Sequence, residues 1–248
     1  MMSMDQLWLS DSRLFSLTDN DVHVWYAQLT ASPDQVIEFA KILSKNELAR
    51  ADRFHSTRDR SAFITSRAIL RTLVSQYLGL SPYDVAFFYN QHGKPALDVI
   101  INPVGLEFNL SHSHDLVIFA FSQKRILGVD LEYQHSLPDL KEIAAKCLSR
   151  AEFEKWDRLP LAQQQETFFL YWTQKEAFLK AKGYGLLQPI NSIELISEPE
   201  IGVVSEYVEH NSEGVNRWSY ISTVPAPGYV ASLFISGYQC QLTCREYS

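Results

Sequence analysis

What this sequence has little of narrows its class before any motif is read. It holds 3 cysteines in 248 residues, Cys147, Cys240 and Cys244, and no two are spaced as CxxC. An odd count without paired spacing argues against a disulfide framework and suits a reducing compartment. No apolar run approaches the ~18–20 residues that a membrane helix needs, so no membrane association is expected. Residues 1–11 carry an acid early and no basic stretch followed by an apolar one. No signal peptide is expected, and the cytoplasm is the expected location. Basic residues are in deficit: 22 Lys and Arg stand against 29 Asp and Glu, a formal charge of −7. Phosphate backbones need a basic face, so no nucleic-acid partner is expected. Low-complexity segments and short-period repeats are absent.

What remains is ordinary for a soluble globular chain, with 46% hydrophobic and 21% charged residues. The length suits one large domain or two of about 100–150 residues each. Apolar patterning predicts a strand over 22–29, then a helix over 33–40 opened by Pro33. Ser44 with Glu47 predicts a capping box for a helix over 45–53. A longer helix over 58–78 follows and ends at Gly79 and Pro82. Strands are predicted over 85–89, 108–110, 116–121 and 126–132, with turns over 91–95 and 123–125. Helices are predicted over 138–147, 153–159 and 166–182, with Ser149 and Glu152 as a second capping box. Residues 190–244 alternate polar and apolar positions between turns at 211–214 and 225–228, which reads as a β meander. The class is α+β. A boundary near 122–124 would divide the chain into an N-terminal half, 1–123, and a C-terminal half, 124–248.

The segment Gly128-Val129-Asp130-Leu131-Glu132 carries the first chemistry. In a strand, alternate side chains share a face. Leu127, Val129 and Leu131 then pack inward, and Gly128, Asp130 and Glu132 share the opposite face. Two carboxylates so close repel and raise each other's pKa unless a cation sits with them. A hard divalent ion such as Mg²⁺ prefers such oxygen ligands. The alternative is a solvated strand face. On the later helix, Trp172, Glu176 and Lys180 share one face at i, i+4 and i+8, with Lys175 adjacent to Glu176. Three carboxylates with lysines nearby suit a metal–pyrophosphate site; a surface Glu–Lys pair is the bland alternative.

Ser111-His112-Ser113-His114-Asp115 joins two strands and offers hydroxyls, imidazoles and turn amides to a phosphate. A Ser–His–Asp triad is disfavoured, because the groups are sequence neighbours and no G-x-S-x-G elbow occurs. A zinc site on His112 and His114 lacks further ligands. Arg50, Arg53, Arg58, Arg60, Arg67 and Arg71 form a locally basic stretch, either a solvated helix surface or a contact for phosphates or an acidic partner.

In this order, the motifs resemble the Sfp-type 4′-phosphopantetheinyl transferases. The paired signature is Gly128 to Glu132, then Trp172-Thr173-Gln174-Lys175-Glu176-Ala177 and Lys180, with 44 residues separating the second and third acids. Arg53-Phe54-His55, the helix through Arg67 and Arg71, Gly93-Lys94-Pro95, Phe108 to Ser113 and Ser149 with Glu152 extend the likeness over about 50–189. Leu148 stands where the family often has phenylalanine. The resemblance implies two similar α+β halves related by a pseudo-twofold axis, with coenzyme A in the cleft between them. It implies Asp130, Glu132 and Glu176 as Mg²⁺ ligands. It implies Ser111, His112, Lys94, Lys175 and Lys180 as contacts to coenzyme A phosphates, and Arg50 at the 3′-phosphate end. The implied reaction moves phosphopantetheine to a serine of an apo acyl or peptidyl carrier protein, with Glu176 as base, directly or through water, and Lys175 or Lys180 stabilising charge. A two-half chain completes its own cleft, so a monomer is expected. Two rivals are a catalytically silent carrier-binding module and another Mg²⁺-dependent phosphate-transfer enzyme.

Overall fold

The computed structural model describes residues 15–90, 93–183, 188–195, 201–202, 204–211 and 214–247. The N-terminal segment 1–11, His92 in the turn over 91–95 and the tip of the turn over 211–214 lie outside the described residues.

The chain begins with strand β1 (Asp21–Gln28) and helices α1 (Pro33–Lys41), α2 (Lys45–Ala51) and α3 (Thr57–Leu78). A hairpin of β2 (Phe87–Tyr89) and β3 (Pro95–Leu97) follows, then β4 (Leu106–Ser113) and β5 (Leu116–Gln123). Then come β6 (Leu127–Tyr133), helices α4 (Leu140–Cys147), α5 (Arg150–Trp156) and α6 (Leu161–Lys182), and strands β7 (Ser205–Asn211), β8 (Gly214–Thr223) and β9 (Tyr229–Ser236). A last strand, β10 (Gln241–Glu246), crosses back to pair parallel with β1.

Two four-stranded sheets result, ordered β10-β1-β5-β4 and β6-β9-β8-β7, beside the β2–β3 hairpin. Their inner faces share one apolar core: Val24, Ile118 and Ala120 from the first sheet, Val129, Leu131, Ala231 and Leu233 from the second. Helix α3 covers the other face of the first sheet through Ile69, Leu70, Leu73 and Val74. Helix α6 covers the other face of the second through Ala177, Phe178 and Ala181. Burying one such aliphatic side chain contributes about 1.5–3 kcal/mol, so both long helices are held mainly by packing.

Helices α3 and α6 share local chemistry. Helices α3 and α6 are each 22 residues long and stop at a left-handed glycine, Gly79 (φ 64°) and Gly183 (φ 70°). Each is preceded by a short helix with a complete capping box, Ser44–Glu47 and Ser149–Glu152. Each capping-box glutamate is buried and takes a cation from the long helix: Glu47 from Arg71 at 2.7 Å, Glu152 from Lys175 at 2.5 Å.

Several sequence expectations change. Residues 111–113 are strand rather than loop, because β4 pairs with β5 through Ser113↔Leu116. Helix α6 starts at Leu161, five residues before the expected start at 166. The expected strand over 85–89 is Phe87–Tyr89, and β3 was not foreseen. The final meander loses its last strand to the first sheet, where β10 satisfies the open edge of β1.

Candidate active site

Strand β6 lies between the sheet core and α6. Its odd positions, Leu127, Val129 and Leu131, are buried in the core, as the alternation requires. Its even positions face α6. A Cβ on Gly128 would lie 2.2 Å from Ala177 O and 2.2 Å from Ala181 N. The glycine therefore admits the helix backbone rather than a ligand, and it sets how close Glu176 comes to the strand.

Contacts run along the two elements in opposite directions. Lys180 Nζ donates to Asp130 Oδ1 at 2.6 Å, and Trp172 Nε1 donates to Glu132 Oε1 at 3.2 Å. Helix α6 is thus antiparallel to β6, with Glu176 between these two pairs. The third wall is β4, whose alternation aims Asn109, Ser111 and Ser113 at β6. Asn109 Oδ1 accepts from Val129 N at 2.9 Å. Ser111 Oγ donates to Asp130 Oδ1 at 2.9 Å and accepts from Lys180 Nζ at 2.8 Å. Ser113 Oγ donates to Glu132 Oε2 at 2.9 Å and accepts from Tyr133 N at 3.0 Å. The edges of the two sheets are therefore stitched together by β4 side chains.

The carboxylates are crowded. Burial pushes the Glu176 carboxyl above its usual range; the charge of Asp130 adds to this, Lys180 opposes it, and Glu132 adds again. Burial likewise raises Glu132, while the Ser113 hydrogen bond lowers it and the charge of Asp130 raises it. Two buried oxygens, Asp130 Oδ2 and Glu176 Oε1, have no hydrogen-bond partner among the described residues. Among those residues, no three His, Cys, Asp or Glu side chains are arranged as a ready metal-binding group. The Lys180 ammonium supplies the positive charge at Asp130. Orphaned anionic oxygens in a crowded acid cluster fit a hard cation, because such oxygens cost free energy unless paired.

A cleft of about 320 Å³ opens beside this cluster, walled by Arg67, Lys94, Asn109, His112, Glu176 and Lys180. The His112 imidazole has its pKa lowered by burial, then by the charges of Lys180 and Arg67. Arg67 is buried, with Nη1 lacking a partner among the described residues. Its guanidinium lies 5.6 Å from the Tyr89 ring, over which Arg50 also sits at 6.0 Å. Tyr89 and exposed Arg50 border an adjoining polar groove with Arg53 and Tyr83.

The structure thus brings Asp130, Glu132, Glu176, Lys180, Ser111 and His112 together, with Arg50 at the neighbouring groove. Two expected phosphate contacts have ammonium groups that are bonded to the protein itself. Lys175 is fully buried and saturated: it pairs with Glu152 and donates to the carbonyls of Cys147 (3.1 Å), Ile190 (3.3 Å) and Ile193 (2.8 Å). Adjacent helix positions differ by ~100° in direction, so Glu176 facing β6 turns Lys175 toward α5. The Lys94 ammonium donates to two carbonyls, Lys180 O at 2.8 Å and Leu127 O at 3.3 Å. Among the arginines, Arg71 is also a structural cation, bonded to Glu47 and to the carbonyls of Pro82 and Val85. The bonds of Ser113 and Trp172 to Glu132, and of Asn109 to the β6 backbone, were not foreseen. The period-two run Asn109-Ser111-Ser113 was the available signal.

Comparison with known proteins shows the family. Residues 126–234 match the 4′-phosphopantetheinyl transferase superfamily, and residues 27–124 match the family described as 4′-phosphopantetheinyl transferase, N-terminal. The chain is 35% identical over 238 residues to 4′-phosphopantetheinyl transferase HetI of Nostoc sp., covering 96% of this chain and 97% of that protein. It is 27% identical over 205 residues to 4′-phosphopantetheinyl transferase Sfp of Bacillus subtilis, covering 82% of this chain and 87% of that protein. It is 28% identical over 206 residues to 4′-phosphopantetheinyl transferase gsp of Aneurinibacillus migulanus, covering 83% and 77%. From the acid cluster, its cleft and these matches together, the chain belongs to the 4′-phosphopantetheinyl transferase superfamily.

Proposed function

We propose that this chain transfers the phosphopantetheine arm of coenzyme A to a serine of an apo acyl or peptidyl carrier protein, with Mg²⁺ as its metal. The observation that carries the proposal is the cluster of Asp130, Glu132 and Glu176 beside Lys180, with orphaned oxygens on Asp130 and Glu176. Asp130, Glu132 and Glu176 would hold the ion, which when bound supplies Lewis-acid polarisation of phosphate oxygens.

The chain's own residues then divide the work. Lys180 and Arg67 place positive charge on the cleft wall for the pyrophosphate, and His112 adds an imidazole beside them. Arg50 and the Tyr89 ring offer a cation and a flat face to the far end of the coenzyme. The Ser111 hydroxyl holds Asp130 and Lys180 in register. The carrier serine oxygen forms a bond to the β-phosphorus as the bond to the bridging oxygen breaks, releasing 3′,5′-ADP. The serine proton goes to the Glu176 carboxylate, directly or through one water. Burial raises the Glu176 pKa in the metal-free chain, and a bound cation would lower it again, which favours the route through water. Both walls of the cleft come from one chain, which supports a monomer. No helix among the described residues is long and apolar enough to cross a membrane; a cytoplasmic enzyme is part of the proposal.

Incubating the protein with coenzyme A, Mg²⁺ and apo acyl carrier protein tests the reading. The expected result is a carrier heavier by one phosphopantetheine and an equal yield of 3′,5′-ADP. An unmodified carrier across a panel of acyl and peptidyl carriers, or a different nucleotide product, would defeat it.

A further inference from the structure

Lys94 sits in the wall of the cleft, yet its ammonium is committed to protein carbonyls. It donates to Lys180 O at 2.8 Å and Leu127 O at 3.3 Å. Lys180 O belongs to the last turn of α6, where carbonyls run out of intrahelical partners. The Gly183 amide closes the helix on Leu179 O at 3.0 Å and reaches Lys180 O only at 3.2 Å. A cation there completes the carbonyl's bonding and meets the negative end of the helix dipole. Leu127 O is at the first residue of β6, next to Gly128, the contact point of helix and strand. The Lys94 backbone is itself pinned: its amide donates to Asn90 Oδ1 at 2.9 Å, and its carbonyl accepts from Asn90 N at 3.1 Å. Buried Pro95 follows and restricts Lys94 to extended conformations. One ammonium therefore ties the β2–β3 hairpin to the strand bearing Asp130 and Glu132 and to the helix bearing Glu176 and Lys180.

We infer that Lys94 is a positioning residue, which clasps the end of α6 to the start of β6 so that Glu176 and Lys180 face the strand's acids, and is not a contact to coenzyme A phosphate. The inference rests on the proposed transferase reaction for its kinetic part alone.

The test compares wild type with Lys94→Met and Lys94→Arg. It measures amide hydrogen exchange over 179–183 in the free protein, the Kd for 3′,5′-ADP by calorimetry, and kcat and KM for coenzyme A with apo acyl carrier protein. Lys94→Met is expected to speed exchange by about tenfold or more and to lower kcat by about tenfold or more, with Kd and KM within about threefold of wild type. Arginine can still donate to both carbonyls, so Lys94→Arg should restore kcat to within about threefold of wild type; it also serves as the test if the methionine variant folds poorly. Unchanged exchange in Lys94→Met would overturn the clasp, as would a Kd or KM raised about tenfold with kcat retained. If wild type itself modifies no carrier, the transferase reading fails, and the exchange measurement still decides the clasp.

Discussion

Lys180 and Asp130 form a 2.6 Å ion pair across the seam between α6 and β6, with the Asp130 side chain only 6% exposed. The pair uses Asp130 Oδ1 and leaves Oδ2 and the neighbouring Glu176 Oε1 without a hydrogen-bond partner among the described residues. Glu176 is thus a half-buried carboxylate on the cleft wall, with no hydrogen bond to its Oε1 among the described residues. Glu176→Gln keeps the shape and removes both the charge and the proton acceptor. We expect kcat to fall ~10²–10⁴-fold, the range for losing a general base, with an unchanged circular dichroism spectrum and no loss of thermal stability. A variant with kcat near wild type would remove Glu176 from the chemistry.

The buried Glu152–Lys175 pair predicts a coupled effect on stability. Removing one partner of such a pair strands the other charge and costs about 3–5 kcal/mol. Lys175→Met alone and Glu152→Gln alone should each be strongly destabilising in urea. The double variant should lose clearly less than the sum of the two. Because Lys175 reaches Glu152 and three carbonyls among the described residues, the double variant should bind 3′,5′-ADP as wild type does. Additive losses, or a much weakened affinity, would count against a purely structural lysine.

Gly128 predicts that spacing between α6 and β6 matters for activity. Its missing side chain faces backbone atoms of Ala177 and Ala181 at 2.2 Å, and backbone cannot swing aside. Gly128→Ala should cost about 1–3 kcal/mol through overpacking. It should also lower kcat more than it raises KM for coenzyme A, since it displaces Glu176 from the strand. Wild-type melting temperature and kcat in this variant would show that the seam tolerates a wider gap.

Much of this was legible in the sequence, for a local reason. Capping boxes, left-handed glycines and the alternation of β6 are written within a few residues of each other, and Ser44–Glu47, Ser149–Glu152 and Asp130–Glu132 all appear as read. The unreadable parts depend on partners far along the chain. Nothing near Lys175 says that Glu152 will take it, so its place beside Glu176 suggested a phosphate contact. Lys94 is half-buried because two elements outside its hairpin offer it carbonyls. Residues 111–113 looked like a polar loop because their hydroxyls serve β6, not water. Helix α6 hid its first turn because Leu161, Ala162 and Gln163 are all exposed, so that turn carries no buried apolar stripe to read. β10 could not be assigned to the first sheet from sequence, since its partner β1 stands at the opposite end of the chain.

A buried histidine away from the cleft sets an acid limit. His23 has its pKa lowered to about 4, first by burial and then by the charge of Arg245, with Asp21 opposing. Its Nδ1 lies 2.8 Å from the Tyr77 hydroxyl, which also accepts from Trp25 Nε1 at 2.9 Å. The unfolded chain takes a proton below about 6.5, whereas the folded chain resists until about 4. The unfolded state therefore binds more protons in that window, and stability falls as pH falls through it. The full effect is on the order of 3 kcal/mol, present above pH ~6.5 and lost by pH ~4. Urea titrations at pH 7 and pH 4.5 should show this loss in wild type and a smaller one in His23→Gln. Equal losses in both proteins would assign the acid sensitivity to other groups.

The proposed function requires Asp130 and Glu132 of β6 and Glu176 of α6 to act as one cation site beside the cleft. Titrating the protein with Mn²⁺ in the presence of 3′,5′-ADP, read by electron paramagnetic resonance, tests this without turnover. The account predicts one bound Mn²⁺ per wild-type chain and a loss of that binding in both Asp130→Asn and Glu176→Gln. Undiminished Mn²⁺ binding in either variant would contradict it.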